Sequence, residues 1–300
     1  MRRVVLALRL LVLLAALPVA AQQDFSKVAI TVTPLTGGLA MLQGSGGNLA
    51  VAHGEDGVFL VDDQYAPLTD KIRAAVATLS AKPIRFVLNT HWHGDHTGGN
   101  ENLGRAGTLI VAHDNVRVQM AVEHFSQVFN IAIPASPAVA LPVVTFNDTV
   151  TFHLNGETIH AYHVPPAHTD GDSVVWFKKA DVVHLGDLFF NGLYPFIDGE
   201  SGGSIDGVIA AANRVLGELG PATRIIPGHG PLAGKAELAA YRDMLVGVRA
   251  NVAALVAAGK SLDETLAAKP TAAWDEAWGK GFLSPDTFTR HVYAMLAKKS

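Results

Sequence analysis

The stretch Thr90-His91-Trp92-His93-Gly94-Asp95-His96-Thr97-Gly98-Gly99-Asn100 constrains this chain more than any other. It sets three imidazoles and a carboxylate within six residues, directly after the strand-like run Ile84-Arg85-Phe86-Val87-Leu88-Asn89. Neutral imidazole and carboxylate are the donors that zinc and other divalent first-row metals prefer. On extended backbone His91 and His93 project the same way. Asp95 and His96, in a turn loosened by Gly94, can point at a neighbouring position. One segment can thus serve two adjacent metals, and a loop that is merely rich in histidine explains the spacing poorly.

The surrounding pattern is layered. Short β-like runs at Val28–Val32, Leu39–Gln43, Leu49–Ala52 and Val58–Val61 are separated by glycine-rich turns, which predicts antiparallel hairpins. A helix is expected over Pro67–Leu79, a strand over Thr108–Ala112, a helix over Asn115–Phe129 and a long loop over Ile131–Pro142. Strands return at Val143–Phe146, Thr149–Leu154, Thr158–Tyr162, Ser173–Phe177 and Val182–Leu185. Then come helix Ile205–Leu219, strand Arg224–Ile226, helix Lys235–Ala258 and a helical tail from Leu262 to Lys298 broken at Pro270 and Pro285. Neither a repeat of 20–50 residues nor a linker between two cores is visible. Two face-to-face sheets with helices outside suit this order.

Three further strand ends carry donors. His168 lies in the turn Val164-Pro165-Pro166-Ala167-His168-Thr169-Asp170-Gly171-Asp172, and Asp187 follows Leu185-Gly186. His229 sits in Pro227-Gly228-His229-Gly230-Pro231, where the glycines allow a close approach of the backbone. Each alone is weak. In this order the chain resembles the metallo-β-lactamase superfamily from roughly Val28 to its end. The resemblance implies an α+β fold, a four-layer αββα sandwich with the active site at one edge between the two sheets. It implies a first metal on His91, His93 and His168, a second on Asp95, His96 and His229, and Asp187 bridging both. Two Zn²⁺ per chain are expected, with iron or manganese as alternatives. Asp62 matches the family's buried carboxylate bracing the histidine motif, although the usual family glycine two residues on is Gln64 here. His163 and His184 are candidates to brace ligands; the other histidines match no ligand position.

The implied chemistry is hydrolysis of an acyl bond (ester, thioester, lactone or lactam) by a hydroxide shared between the metals, with Asp95 steering its proton. Phe190 stands where related lactamases commonly carry lysine and lactonases often tyrosine, and Tyr194 reads as a buried structural residue. Glyoxalase-II enzymes share all seven ligands, but residues 235–300 read as covering helices, not as those enzymes' thioester-binding domain. Two other classes compete: a non-enzymatic zinc-binding protein, and a serine hydrolase using Ser201 in Gly199-Glu200-Ser201-Gly202-Gly203. The proline in Tyr194-Pro195-Phe196-Ile197-Asp198 and the glycines after Ser201 argue against the nucleophile elbow.

Composition narrows the setting. The chain has no cysteine, which excludes disulfides, thiolate ligands and a cysteine nucleophile. Residues 1–21 read as an export signal: Arg2 and Arg3, an apolar run from Val4 to Leu17, and Val19-Ala20-Ala21 for cleavage before Gln22. A periplasmic or secreted protein with one hydrolase domain over 22–300 is expected, acting on a small-molecule acyl substrate. No apolar run reaches the length of a membrane span, so stable insertion is not expected. Loss of Arg2, Arg3 and Arg9 takes the formal charge from −4 to −7, which disfavours nucleic acid as a partner.

Overall fold

Alternation along the strands decides the layering. The computed structural model describes residues 24–297 apart from residue 129; the expected export segment 1–21 lies outside the described residues. In the first sheet β1 (Thr31–Pro34), β2 (Leu39–Gln43), β3 (Leu49–Gly54) and β4 (Gly57–Val61) pair antiparallel. After helix α1 (Thr69–Ala77), β5 (Ile84–Leu88) joins β4 in parallel. Two short helices, α2 (Gly94–Thr97) and α3 (Asn100–Arg105), lead to β6 (Leu109–His113), parallel to β5. Helix α4 (Asp114–Met120) and a separate hairpin of β7 (His124–Ser126) and β8 (Ile131–Ile133) precede β9 (Val144–Phe146), which completes the sheet.

The second sheet comprises β10 (Thr149–Leu154), β11 (Glu157–His163), β12 (Ser173–Phe177) and β13 (Val182–His184), antiparallel in that order. After α5 (Ile205–Glu218), β14 (Arg224–Ile226) adds parallel to β13. The chain then continues through α6 (Lys235–Ala257), α7 (Leu262–Ala267), α8 (Asp275–Trp278) and α9 (Pro285–Ala297). Pro285 opens α9, where its missing N–H is no loss, and the Ser284 hydroxyl accepts the Thr287 N–H.

Both faces of the central strands are apolar, and each has its own partner. Leu39 and Met41 of β2, with Phe59 and Val61 of β4, meet Ile159, Ala161, Val175 and Phe177 of the second sheet. Their alternates Ala40, Leu42, Val58 and Leu60 pack on Ile72 and Val76 of α1. In the second sheet Val174 and Trp176 face the other way, onto Val208 and Ala212 of α5, Met244 and Val248 of α6, and Phe288 and Val292 of α9. The result is the expected αββα sandwich, with each buried Leu, Val or Phe contributing ~1.5–3 kcal/mol.

Two expectations fail around residues 115–142. The helix expected over Asn115–Phe129 stops at Met120. Val116 and Met120 bury one face, but the next positions on it are Glu123, His124 and Gln127, so no apolar stripe continues. The chain turns instead into the β7–β8 hairpin, so Ile131–Pro142 is strand, a loop and a 3-10 turn at Ala138–Ala140, not one long loop. Among the described residues no helix is long and apolar enough to cross a membrane.

Candidate metal centre

The carboxyl ends of β4, β5, β13 and β14 and the β11–β12 connection emerge at one edge of the sandwich. Two backbone bonds tie the sheets together there: Ser173 N–H donates to the Thr90 carbonyl (2.9 Å) and Asn48 N–H to the Gly228 carbonyl (2.7 Å). All seven donors expected from the sequence meet at this edge in two groups. His91, His93, His168 and Asp187 form one; Asp95, His96 and His229 form the other, with the donor atoms of each group within 4.8 Å of one another.

In the rings whose partners the geometry fixes, one nitrogen is held by the protein and the other is aimed inward. Asp62 accepts from His96 Nδ1–H at 2.8 Å, from the Thr90 N–H at 2.8 Å and from the Thr90 hydroxyl at 2.8 Å. With its proton committed to Asp62, that hydroxyl accepts from His91 Nδ1–H at 3.0 Å, which turns the bare Nε2 of His91 inward. His168 Nδ1–H donates to the Phe196 carbonyl at 2.8 Å, leaving Nε2 3.0 Å from His93 Nδ1. His93 Nε2–H donates to Asp198 at 3.0 Å. Asp187 stands between the groups. Its Oδ2 lies 3.5 Å from His168 Nε2 and 3.8 Å from His91 Nε2, its Oδ1 3.1 Å from His96 Nε2 and 3.3 Å from His229 Nε2.

This donor set fits divalent metal. His91 Nε2 is buried with no hydrogen-bond partner, and His96 Nε2 and Asp187 Oδ1 face each other at 3.1 Å without hydrogen-bond geometry, inward-facing atoms that a cation would satisfy. Two glycines keep the space clear. A Cβ on Gly228 would lie 2.1 Å from Asp187 Oδ1, and one on Gly47 2.1 Å from His96 Cε1.

The two groups differ electrostatically. Burial pulls the His91 and His168 imidazoles down, His168 to about 4, so both are neutral at pH 7. Burial opposes charge at His96 and His229 as well, but Asp187 and Asp95 overcome it, with Asp62 also acting on His96. His96 is held well above its ordinary value and His229 at about 9. The carboxylates respond in kind. Despite burial, His96 and His229 bring Asp95 to about 2, and His229, His96 and His168 hold Asp187 far below its usual range.

Asp198 and Asp172 had no role assigned from the sequence. Asp198 accepts the His93 bond and one from the Ser201 hydroxyl at 2.7 Å. Ser201 therefore orients Asp198 from a 3-10 turn, with no strand before it and no histidine hydrogen-bonded to it, which removes the nucleophile-elbow geometry. Asp172 shapes the His168 turn, accepting from the backbone N–H of His168 (2.6 Å) and Thr169 (2.9 Å) and from the Thr169 hydroxyl (2.5 Å). Burial lifts its carboxyl to about 7 despite these bonds. His184 ties the approach to Asp187, donating to the Asn48 carbonyl at 3.0 Å and accepting from the Gly186 N–H at 3.1 Å. His163 stacks on His113 and bonds the Asp172 carbonyl at 2.9 Å. Gln64 occupies the left-handed region at φ 55°, where glycine costs least, and its amide donates to the Gly47 carbonyl at 2.6 Å. Tyr194 points away from the centre, its hydroxyl donating to Asp275 at 2.8 Å.

A cleft of about 870 Å³ opens over Asp95, Asp187 and His229. The β7–β8 hairpin roofs one side and Phe282 borders the other.

Comparison with known proteins accords with this architecture. The sequence pattern of the metallo-beta-lactamase superfamily matches residues 38–229. The chain is similar to a type 2 metallo-beta-lactamase of Bacteroides fragilis, 22% identical over 189 residues, 60% of this chain and 70% of that protein. It is similar to a hydroxyacylglutathione hydrolase of Nitrosococcus oceani, 28% identical over 183 residues, 61% of each chain. The solved structure of a sec-alkylsulfatase from Pseudomonas sp. shares the fold at 17% identity, with a TM-score of 0.65, over 88% of this chain and 50% of that one. These matches span between half and 70% of the relatives' own lengths. From the two stacked sheets, the strand-end donors and the match over residues 38–229, this chain belongs to the metallo-beta-lactamase superfamily.

Proposed function

We propose that the protein is an exported hydrolase that holds two divalent ions, zinc by donor type, and cleaves an acyl bond in an ester, thioester, lactone or lactam. The observation that carries this reading is Asp187, whose two carboxylate oxygens face two different histidine sets. That arrangement suits two cations a few ångströms apart. His91, His93 and His168 would hold one ion, Asp95, His96 and His229 the other, and Asp187 both. When bound, the ions supply Lewis acidity and a water ionised near neutral pH.

The chain's own residues supply the rest. Asp62, Thr90, the Phe196 carbonyl and Asp198 fix rings of the cluster before any ligand arrives, so little reorganisation is left for binding. Asp95 borders the cleft with Oδ2 3.3 Å from His229, in position to hold the proton of an attacking water. Uptake of substrate requires a cavity, and the 870 Å³ cleft above the donors supports an enzyme over a protein that only stores zinc. Export to the periplasm or medium rests on the basic, apolar and small-residue pattern of positions 1–21.

The test is turnover of a panel of lactam, lactone, thioester and ester substrates by the zinc-loaded mature protein. At least one class is expected to be hydrolysed, with activity lost on chelation and restored by metal. Full metal loading with no turnover of any class would contradict the proposal.

A further inference from the structure

We infer that the substrate of this centre is an uncharged acyl compound bearing a long apolar chain, seated between the β7–β8 hairpin and Phe282. The inference rests on the hydrolase reading and narrows it.

The floor of the cleft is polar, whereas large apolar side chains stand on its walls. Phe125 and Ile131 of the hairpin and Phe282 opposite all line the cleft while 57%, 49% and 56% exposed. Apolar side chains left in water around a reactive edge mark a surface that something covers. An apolar track also runs inward. Phe282 lies 6.1 Å from Phe190, and Phe190 stacks on His229 at 4.9 Å and 18°. Phe190 is itself buried, so a chain resting on the exposed Phe282, whose ring lies 6.4 Å from that of His229, would bring its carbonyl to the donor cluster.

Charge selects the class further. Among the described residues lining the cleft there is no lysine or arginine. Its rim instead carries the exposed carboxylate of Glu200, which accepts the Gln127 N–H of the hairpin turn at 3.3 Å. A carboxylated substrate would find no side-chain cation in the cleft beyond the centre itself, and would face Glu200. An uncharged one loses nothing by entering.

The experiment measures kcat/KM of zinc-loaded protein on p-nitrophenyl esters. The octanoyl ester is expected to exceed the acetyl ester by at least about tenfold, because added methylenes leave water on the apolar track. The hexanoyl ester is expected to exceed the adipate half-ester, of equal chain length but anionic, by about tenfold or more. Phe125→Ser and Ile131→Ser remove exposed side chains with no core loss, and each is expected to lower the octanoyl-to-acetyl ratio about threefold or more. A flat dependence on chain length, or preference for the half-ester, would overturn the inference. Calorimetry with 2-octanone against acetone separates the two readings. Tighter 2-octanone binding without turnover of any ester supports the apolar cleft and removes the hydrolase reading. Equal weak binding of both ketones removes the inference even if esters turn over.

Discussion

The two halves of the donor cluster hold similar side chains in opposite charge states. His91 and His168 are kept neutral by burial, so their inward nitrogens offer lone pairs at pH 7. His96 and His229 sit among Asp62, Asp95 and Asp187 and carry protons, forming an ion-pair cluster in the metal-free protein. On the two-metal proposal the first half would be ready for a cation, whereas the second would have to shed protons before accepting one. Similar ligand chemistry, set by different neighbours, would thus give two sites of unequal readiness.

Removing one donor from each half tests this inequality most strongly. His168→Ala is expected to cost the first metal and lower turnover by on the order of 10³ or more. His229→Ala is expected to keep the first metal, lose the second and lower turnover by on the order of 10². Metal analysis after dialysis reads the first pair of outcomes and steady-state kinetics the second. Equal loss of both metals in each variant would erase the distinction between the halves.

The bracing carboxylates come next in size. Of the candidate donor side chains Asp198 holds only the His93 ring, so Asp198→Asn is expected to weaken the first metal by about tenfold. Asp62→Asn disturbs His96 directly and His91 through Thr90, and is expected to weaken both metals by about 10–100-fold. Competition with a chromogenic chelator measures both. An Asp62→Asn protein with wild-type affinity at each site would show that the buried carboxylate serves the fold alone.

Smallest is the effect of pH. The His229 imidazole is raised from 6.5 to about 9, so its ion pairs stabilise the metal-free protein fully below pH 6.5. That contribution fades as pH rises through about 9. Metal uptake runs the other way: affinity at the second half rises with pH over the same window. The first half holds until pH falls toward about 4, where His168 protonates. Loading the protein at pH 7 is expected to release about two protons, one each from His96 and His229, beyond the one that an ionised water would give, detectable with an indicator dye in weak buffer. Release of about one proton or fewer would place both imidazoles in the neutral state and equalise the halves.

The candidate donors were legible together because they recur, in order, in the segments that follow strands, from the cluster after β5 to His229 after β14. Asp198 was not: it lies 105 residues from His93 and reads locally as a turn residue capping Glu200 and Ser201. Its partner appears only when the second sheet folds onto the first. The hairpin roof failed for a different reason. Val116 and Met120 start a helical stripe, and the apolar Val122, Phe125 and Val128 beyond them obscure the polar Glu123, His124 and Gln127 that end it. Gln64 stands where glycine was expected, and the backbone kept the left-handed turn regardless.

The central claim is that one carboxylate joins two metal sites, and counting metals in Asp187→Ala tests it most directly. Mass spectrometry of the native holoprotein and of the variant, both dialysed against a mild chelator, is the measurement. The account predicts two ions per chain in the native protein and weakened retention of both in the variant. Two tightly held ions in the variant with full turnover, or a single ion in the native protein at saturating zinc, would contradict it.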